Sequence, residues 1–249
     1  MECSKHYMPI FTIRINKTKA CCNLITNYCC NHYPMKQIFI TGGTGYMGSR
    51  LVVLLVQKGY SVTALVRSGS EKKLPEGCAY VVANAFDATS FSKHIPEQAV
   101  FIQLLGVAHP GPKKKEQFKT IDLASVKASA VAAKEAGAAH FIYVSVAQTP
   151  TSIMHDYQQC RALGENAIRD TRIPATFIRP WYVIGPGHYW PLLFQPVFKI
   201  LEWVPATTQK AKALRLVSLK QMLNTLLYAA ELDPFAGINI IETDTIRRM

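Results

Sequence analysis

Thr41-Gly42-Gly43-Thr44-Gly45-Tyr46-Met47-Gly48 is the stretch on which the reading of this chain turns. It contains Gly43-x-Gly45-x-x-Gly48 and equally Gly42-x-x-Gly45-x-x-Gly48. A short apolar strand, Lys36 to Thr41, runs into it. From Gly45 to Lys58, Met47, Leu51, Leu54 and Leu55 recur at helical spacing, and a second apolar strand follows from Ser61 to Arg67. Strand, glycine turn, helix and strand in that order give the spacing its chemical meaning. Glycines allow a tight turn, a close approach of backbone to a pyrophosphate, and close packing of helix on strand. The unpaired N–H groups of the first helical turn then hold phosphate oxygens. The turn predicts a dinucleotide site lined by Gly42, Thr44, Gly45, Tyr46 and Met47.

The end of the second strand bears on which dinucleotide. A site that reads a free ribose 2′-hydroxyl wants Asp or Glu there, about 20 residues on. This strand ends Leu65-Val66-Arg67-Ser68, without an acid. Arg67 suits charge-assisted hydrogen bonds to a 2′-phosphate, with Ser68 or Ser70 adding a hydroxyl and Lys72 or Lys73 a weaker field. NADP(H) is therefore expected in preference to NAD(H).

Outward from the turn, strands and helices keep alternating. Strands are expected at 78–82, 99–105, 140–145, 175–179 and 237–241, and helices at about 116–136, 157–169 and 218–231. Near-continuous apolar strands separated by helices predict a parallel sheet covered on both faces, an α/β doubly wound fold. The expected organisation is a poorly ordered N-terminal extension over 1–34, then one nucleotide-binding domain over 35–249 that includes a small substrate lobe at about 185–235.

Composition narrows the function classes. The 249 residues are 49% apolar and carry a net charge of +12, so disorder is excluded and an anionic ligand is favoured. No apolar run is long enough to predict a membrane span. No basic helix or aromatic sheet face of the nucleic-acid-binding kind is present. Cys3, Cys21, Cys22, Cys29 and Cys30 lie in the extension, but paired vicinal cysteines are not the usual zinc spacing, and no metal is expected. Only Cys78 and Cys160 lie in the body, which predicts a reduced, cytoplasmic protein rather than a disulfide scaffold.

From about Lys36 onward the chain resembles the atypical short-chain dehydrogenase/reductase group, the relatives of NmrA-like and epimerase-like NAD(P)-binding proteins. The resemblance rests on the glycine turn, Phe141-Ile-Tyr-Val-Ser145, the helix at Tyr157, and Phe177-Ile-Arg-Pro-Trp-Tyr-Val-Ile-Gly185. It implies a Rossmann domain with a small C-terminal lobe over the cleft. It also implies a catalytic set of Ser145, Tyr157 and Arg161, where Tyr157-Gln-Gln-Cys-Arg161 stands in for the Tyr-x-x-x-Lys of active members. A phenol with a pKa near 10 needs a neighbouring cation to ionise near neutrality, and Arg161 shares its helix face at i+4. Guanidinium stays charged and cannot pass a proton on, and Glu165 one turn further is expected to pair with it. The resemblance further assigns Asn84 to the adenine, Leu105 and Gly106 to the cofactor wall, and Val183 to the nicotinamide side.

The remaining signals are weaker. His188, Tyr189 and Trp190 are candidates to roof a substrate pocket, and the apolar stretch 192–204 reads as a packed helix, a substrate wall or a membrane contact. His109 sits in a turn, and Lys113-Lys114-Lys115 reads as a solvated basic loop. Three functions stay open: an NADP-dependent oxidoreductase on a small carbonyl-type substrate, a non-catalytic NADP(H)-binding regulator or assembly factor, and an epimerase that retains its cofactor. Oligomeric state is left open.

Overall fold

The computed structural model describes residues 36–108, 110–149, 154–187, 215–233 and 235–249. The extension over 1–34, His109, the loop 188–190 and the apolar stretch 192–204 lie outside the described residues.

Seven strands form one parallel sheet: β1 (Gln37–Thr41), β2 (Ser61–Val66), β3 (Ala79–Val82), β4 (Val100–Gln103), β5 (His140–Val144), β6 (Ala175–Arg179) and a last strand, Ile238–Glu242. Their order across the sheet is β3-β2-β1-β4-β5-β6 and then the last strand. The chain runs outward from β1 to β3, then returns to the other side of β1 for β4. The doubly wound expectation is met, and the order reverses between β1 and β4, where such folds open their ligand crevice.

Side-chain alternation builds the two layers. Ile38 and Ile40 of β1, Val100 and Ile102 of β4, Ile142 and Ile178 point to one face. There they meet Leu51 and Leu55 of helix α1 (Gly48–Gln57). Phe39, Phe101 and Phe141 point to the other face, where strand register puts them side by side with ring centroids 5.5 and 4.9 Å apart. Burying each such ring contributes about 1.5–3 kcal/mol. That face is covered by the helical run α2 (Lys115–Glu135) and by α3 (His155–Arg169).

The structure departs from expectation in four places. The helix expected from Gly45 opens at Gly48, so 45–47 remain turn. The helix expected over 116–136 is α-helical at both ends but follows π-helical bonding over Phe118–Leu123. Two short strands, β7 (Tyr182–Ile184) and β8 (Leu216–Ser218), pair in parallel as a separate ladder. They escaped notice because each is three residues long and its partner is distant in sequence. Helix α4 (Leu219–Glu231), capped by the reciprocal Ser218–Gln221 box, is no part of a separate lobe. Met222, Leu223, Leu226 and Ala230 join the same core as Ile38 and Leu51. The last sheet strand is β9, and the described chain closes with a short helix, α5 (Thr243–Ile246).

Candidate cofactor cleft and active site

The glycine turn is built almost wholly from backbone. Gly42 adopts φ +72°, and a Cβ there would lie 2.6 Å from the Leu105 nitrogen, so the turn runs flush against the end of β4. Gly48 rests on the Gly42 carbonyl, and its Cβ would also come within 2.8 Å of the Gly43 Cα. Gly45 donates its N–H to the Gly42 carbonyl at 3.0 Å. A Cβ on Gly45 would meet only that carbonyl oxygen, and its other sides are open. No side chain caps α1, and its first turn carries no acid, so its amides are left for an anion. Beneath the turn, buried Gln103 accepts from the hydroxyls of Thr41 and Ser129 and donates to Ser125 at 3.2 Å, tying β1, β4 and α2 together.

These features fit a dinucleotide: a cradle open on the outer side of Gly45, uncapped amides, and a position at the sheet's point of reversal. The cleft, of about 300 Å³, is lined by Gly45, Tyr46 and Met47 on one side and Leu104, Gly106 and Val107 on the next. Val144, Ser145, Val146, Tyr157, Arg161, Trp181, Tyr182 and Val183 complete it. The fold thus gathers most of the expected positions at one place. Gly42 and Leu105 form the joint behind it, and Thr44 stays in the turn.

Arg67 and Asn84 stand further out, at the carboxyl ends of β2 and β3. Arg67 is exposed and its Nε donates to the hydroxyl of buried Ser70 at 3.3 Å, which aims the guanidinium along the turn. The Asn84 side-chain carbonyl accepts the Phe86 N–H at 3.1 Å, so its NH2 is what it offers outward.

The chemical end of the cleft is a side-chain assembly. Tyr157 packs against Phe118 of the π-helical turn, ring centroids 5.0 Å apart, and the Arg161 guanidinium lies 5.0 Å from the Tyr157 ring. Arg161 is buried and pairs with buried Asp122 at 2.5 Å. It also donates to the Val144 carbonyl at 3.0 Å. Asp122 takes the Val107 N–H at 3.1 Å on its other oxygen. The expected pairing of Arg161 with Glu165 is therefore not formed. Glu165 instead accepts from Arg179 at 2.6 and 2.9 Å, from Arg169 at 3.2 Å and from the Ser145 hydroxyl at 2.7 Å. The reason is register: Glu165 lies under β6, within reach of Arg179, while Arg161 faces α2.

Two consequences follow for the expected chemistry. The Ser145 proton is committed to a buried carboxylate, so toward the cleft this hydroxyl accepts rather than donates. The Tyr157 phenol is pushed above its ordinary value: burial raises it, Arg161 pulls it down less, and Asp122 raises it again. The field expected from Arg161 does not bring the phenol toward ionisation.

Asp122, Phe118 and Arg179 were missed in the sequence. For Asp122 a signal existed, since it is the sole acid between Glu116 and Glu135 and falls on the helix stripe of Phe118, Ser125 and Ser129. Arg179 sat in plain view, but its partner could not be read from spacing. Among the described residues no group of three or more His, Cys, Asp or Glu could hold a metal ion. Nor, among them, is any helix long and apolar enough to cross a membrane.

A glycine cradle at the reversal point of a parallel sheet defines a nucleotide-binding α/β protein of the doubly wound class. Residues 42–185 match the NAD(P)H-binding family, and the chain belongs to it. Its fold and motifs fit the atypical branch of the short-chain dehydrogenases/reductases. A ceramide reductase from Caulobacter vibrioides (strain NA1000 / CB15N) is 30% identical over 152 residues, 60% of this chain and 47% of that protein. The chain thus spans about half the length of the curated relative it matches. Among solved structures, the Bordetella bronchiseptica enzyme WbmH in complex with NAD+ superposes with a TM-score of 0.60 at 18% identity, covering 82% of this chain and 75% of that one. A short-chain dehydrogenase/reductase superfamily protein from Agrobacterium tumefaciens with bound NAD gives 0.59 at 15%, covering 83% and 77%. At these identities the likeness is one of fold. The chain carries a domain for a nicotinamide dinucleotide.

Proposed function

We propose that this protein is an NADP(H)-dependent oxidoreductase that reduces a carbonyl group on a largely apolar substrate. The observation that carries the reading is the meeting of Tyr157 with the glycine turn, Gly106 and Val183 around one cleft. Its apolar wall, with Leu104, Val107, Val146 and Trp181, favours a lipid-like carbonyl compound, in keeping with the similarity to a ceramide reductase. Arg67 and Ser70, with no acid at the end of β2, support a 2′-phosphate and hence NADP(H) over NAD(H).

When bound, the reduced nicotinamide supplies a hydride. Backbone amides of 44–47 would hold its diphosphate, and Gly106 and Val183 would line the nicotinamide half. Tyr157 would donate its phenol proton to the substrate's carbonyl oxygen as the carbonyl carbon takes up that hydride, giving the alcohol. The phenolate left behind takes a proton from water. Arg161 holds Tyr157 in place by stacking, and Ser145 accepts from a substrate hydroxyl or from Tyr157.

A non-catalytic NADP(H)-binding regulator is the second reading, favoured by the arginine that stands where active relatives carry lysine. Fluorescence titration of NADPH against NADH, with Arg67→Ala as control, tests the cofactor. We expect NADPH to bind at least about tenfold more tightly, with the difference lost in the variant. NADPH consumption with carbonyl compounds from short ketones to long-chain lipid ketones tests the reaction. Tyr157→Phe should lower turnover by about 10²–10⁴-fold while leaving NADPH affinity within threefold. Equal affinity for both nucleotides would remove the cofactor assignment. Tight NADPH binding with no turnover of any carbonyl would favour the regulator.

A further inference from the structure

The helical run α2 changes its hydrogen bonding over Phe118–Leu123, where it is π-helical. Such turns add a residue to the helix circumference and often sit at functional sites. Here the turn buries Phe118 and Asp122 together. Phe118 lands on Tyr157 and Asp122 on Arg161, the two members of the site that α3 supplies. Gly106 roofs the ion pair, because a Cβ there would lie 2.7 Å from Arg161 Nη2 and 2.8 Å from Asp122 Oδ1. Asp122 is 1% and Arg161 8% exposed, so water screens neither.

We propose that Asp122 tunes Tyr157 as an acid: by pairing with Arg161 it offsets part of the cation's field at the phenol, so that Tyr157 stays protonated through neutral pH. The inference rests on the oxidoreductase reading above. An isolated guanidinium 5.0 Å from the ring would favour phenolate strongly in this buried setting. A guanidinium closed by a carboxylate presents a dipole, whose field falls away faster with distance.

Arg161 still lowers the phenol, and Asp122 offsets part of that pull. The titratable and charged groups around Tyr157 are Arg161 and Cys160 on α3, Asp122 on α2 and, across Arg161, Tyr143 on β5. Burial pushes the Cys160 thiol up and the Tyr143 phenol to about 12, so both stay neutral. Lys119 and Asp156 lie near Cys160, and Tyr46 and Tyr182 line the same cleft. Reduction uses the protonated phenol present throughout neutral pH. Oxidation needs the phenolate: the alcohol proton passes to Tyr157 oxygen as the alcohol carbon loses its hydride to the oxidised nicotinamide. With the phenol buried and the cation's field partly offset, that form is scarce below alkaline pH.

The test reads the tyrosine itself and needs no substrate. Carbon-13 at tyrosine Cζ is followed by NMR as pH rises, with Tyr157→Phe supplying the assignment. In the wild-type protein Tyr157 should show no phenolate below pH about 10. Asp122→Asn should lower its midpoint by at least one pH unit, about a tenfold gain in phenolate. The same variant should move the alkaline limb of the pH–rate profile for reduction down by the same interval. Should Asp122→Asn fail to fold, the double variant Asp122→Asn/Arg161→Met keeps the site neutral and shape-conserved. Its Tyr157 midpoint should lie no lower than in the wild type. A wild-type midpoint near 8, an unmoved midpoint in Asp122→Asn, or a moved midpoint without a matching shift of the pH–rate profile would each overturn the proposal. A moved midpoint in a protein that turns over no carbonyl compound would instead sink the oxidoreductase reading and leave the assignment of the ion pair standing.

Discussion

The two ends of the cleft are made in opposite ways. The glycine turn does its work with main chain from eight consecutive residues, and its geometry follows from the absence of side chains. The Tyr157 end does its work with side chains from α2, β5, α3 and β6, and several of its contacts span a long loop of chain: 39 residues from Asp122 to Arg161, 20 from Ser145 to Glu165, 14 from Glu165 to Arg179. A backbone site tolerates no added atom but needs no partner. A side-chain site tolerates small changes of shape but fails when one charge loses its counterpart.

The largest expected effect breaks the backbone end. Gly48→Ala places a Cβ into the Gly42 carbonyl and against Gly43, where only backbone can give way. NADPH affinity should fall by at least about 100-fold, some 3 kcal/mol, as read by fluorescence titration. Retained affinity would mean that the turn does not carry the dinucleotide.

At the side-chain end, Glu165→Ala leaves Arg179 with only the half-exposed Glu242 and strips Ser145 of its acceptor. Urea unfolding should show a loss of about 3–5 kcal/mol, because the partner charge stays buried. Cofactor affinity, measured where the variant is still folded, should change far less than in Gly48→Ala. A mild loss of stability together with lost NADPH binding would erase the distinction between the two ends.

A smaller effect sharpens it further, at the opposite end of β5. His140 is buried, bonded to Thr176 Oγ1 at 2.9 Å and edge-on to Phe235, and burial together with Lys36 pulls its pKa down from 6.5 to about 4. The unfolded chain binds this proton first, so the stabilisation is complete above pH 6.5 and drains away as pH falls toward 4. The loss approaches about 3 kcal/mol. His140→Gln should flatten the dependence of urea midpoint on pH between 7 and 4. An unchanged slope would show that other groups govern it.

Much of the fold was legible because it rests on local pattern. Ile38, Phe39 and Ile40 alternate between two faces within three residues, and the parallel sheet with covered faces follows. The turn at 42–48 was legible for the same reason. Arg161 was visible as a departure from lysine, but its partner was misread. On α3 both candidate acids and cations lie one turn apart, and spacing along the helix suggested Glu165. Packing chose otherwise, with α2 bringing Asp122 to Arg161 and β6 bringing Arg179 to Glu165. The helix 219–231 was likewise legible as a helix, while its membership of the main core was not.

The amino-acid order alone determined the alternation of strands and helices, the glycine turn and a domain of the NAD(P)H-binding family. Each of these depends on spacings of one to eight residues that any chain conformation must respect. Tertiary structure alone decided which group meets which: that Arg161 is closed by Asp122, that Ser145 donates its hydrogen bond to Glu165, and that Tyr157 is held as a neutral phenol. Such pairings are set by helix packing and by burial, and burial turns a charge that would be screened in water into one that must find a partner.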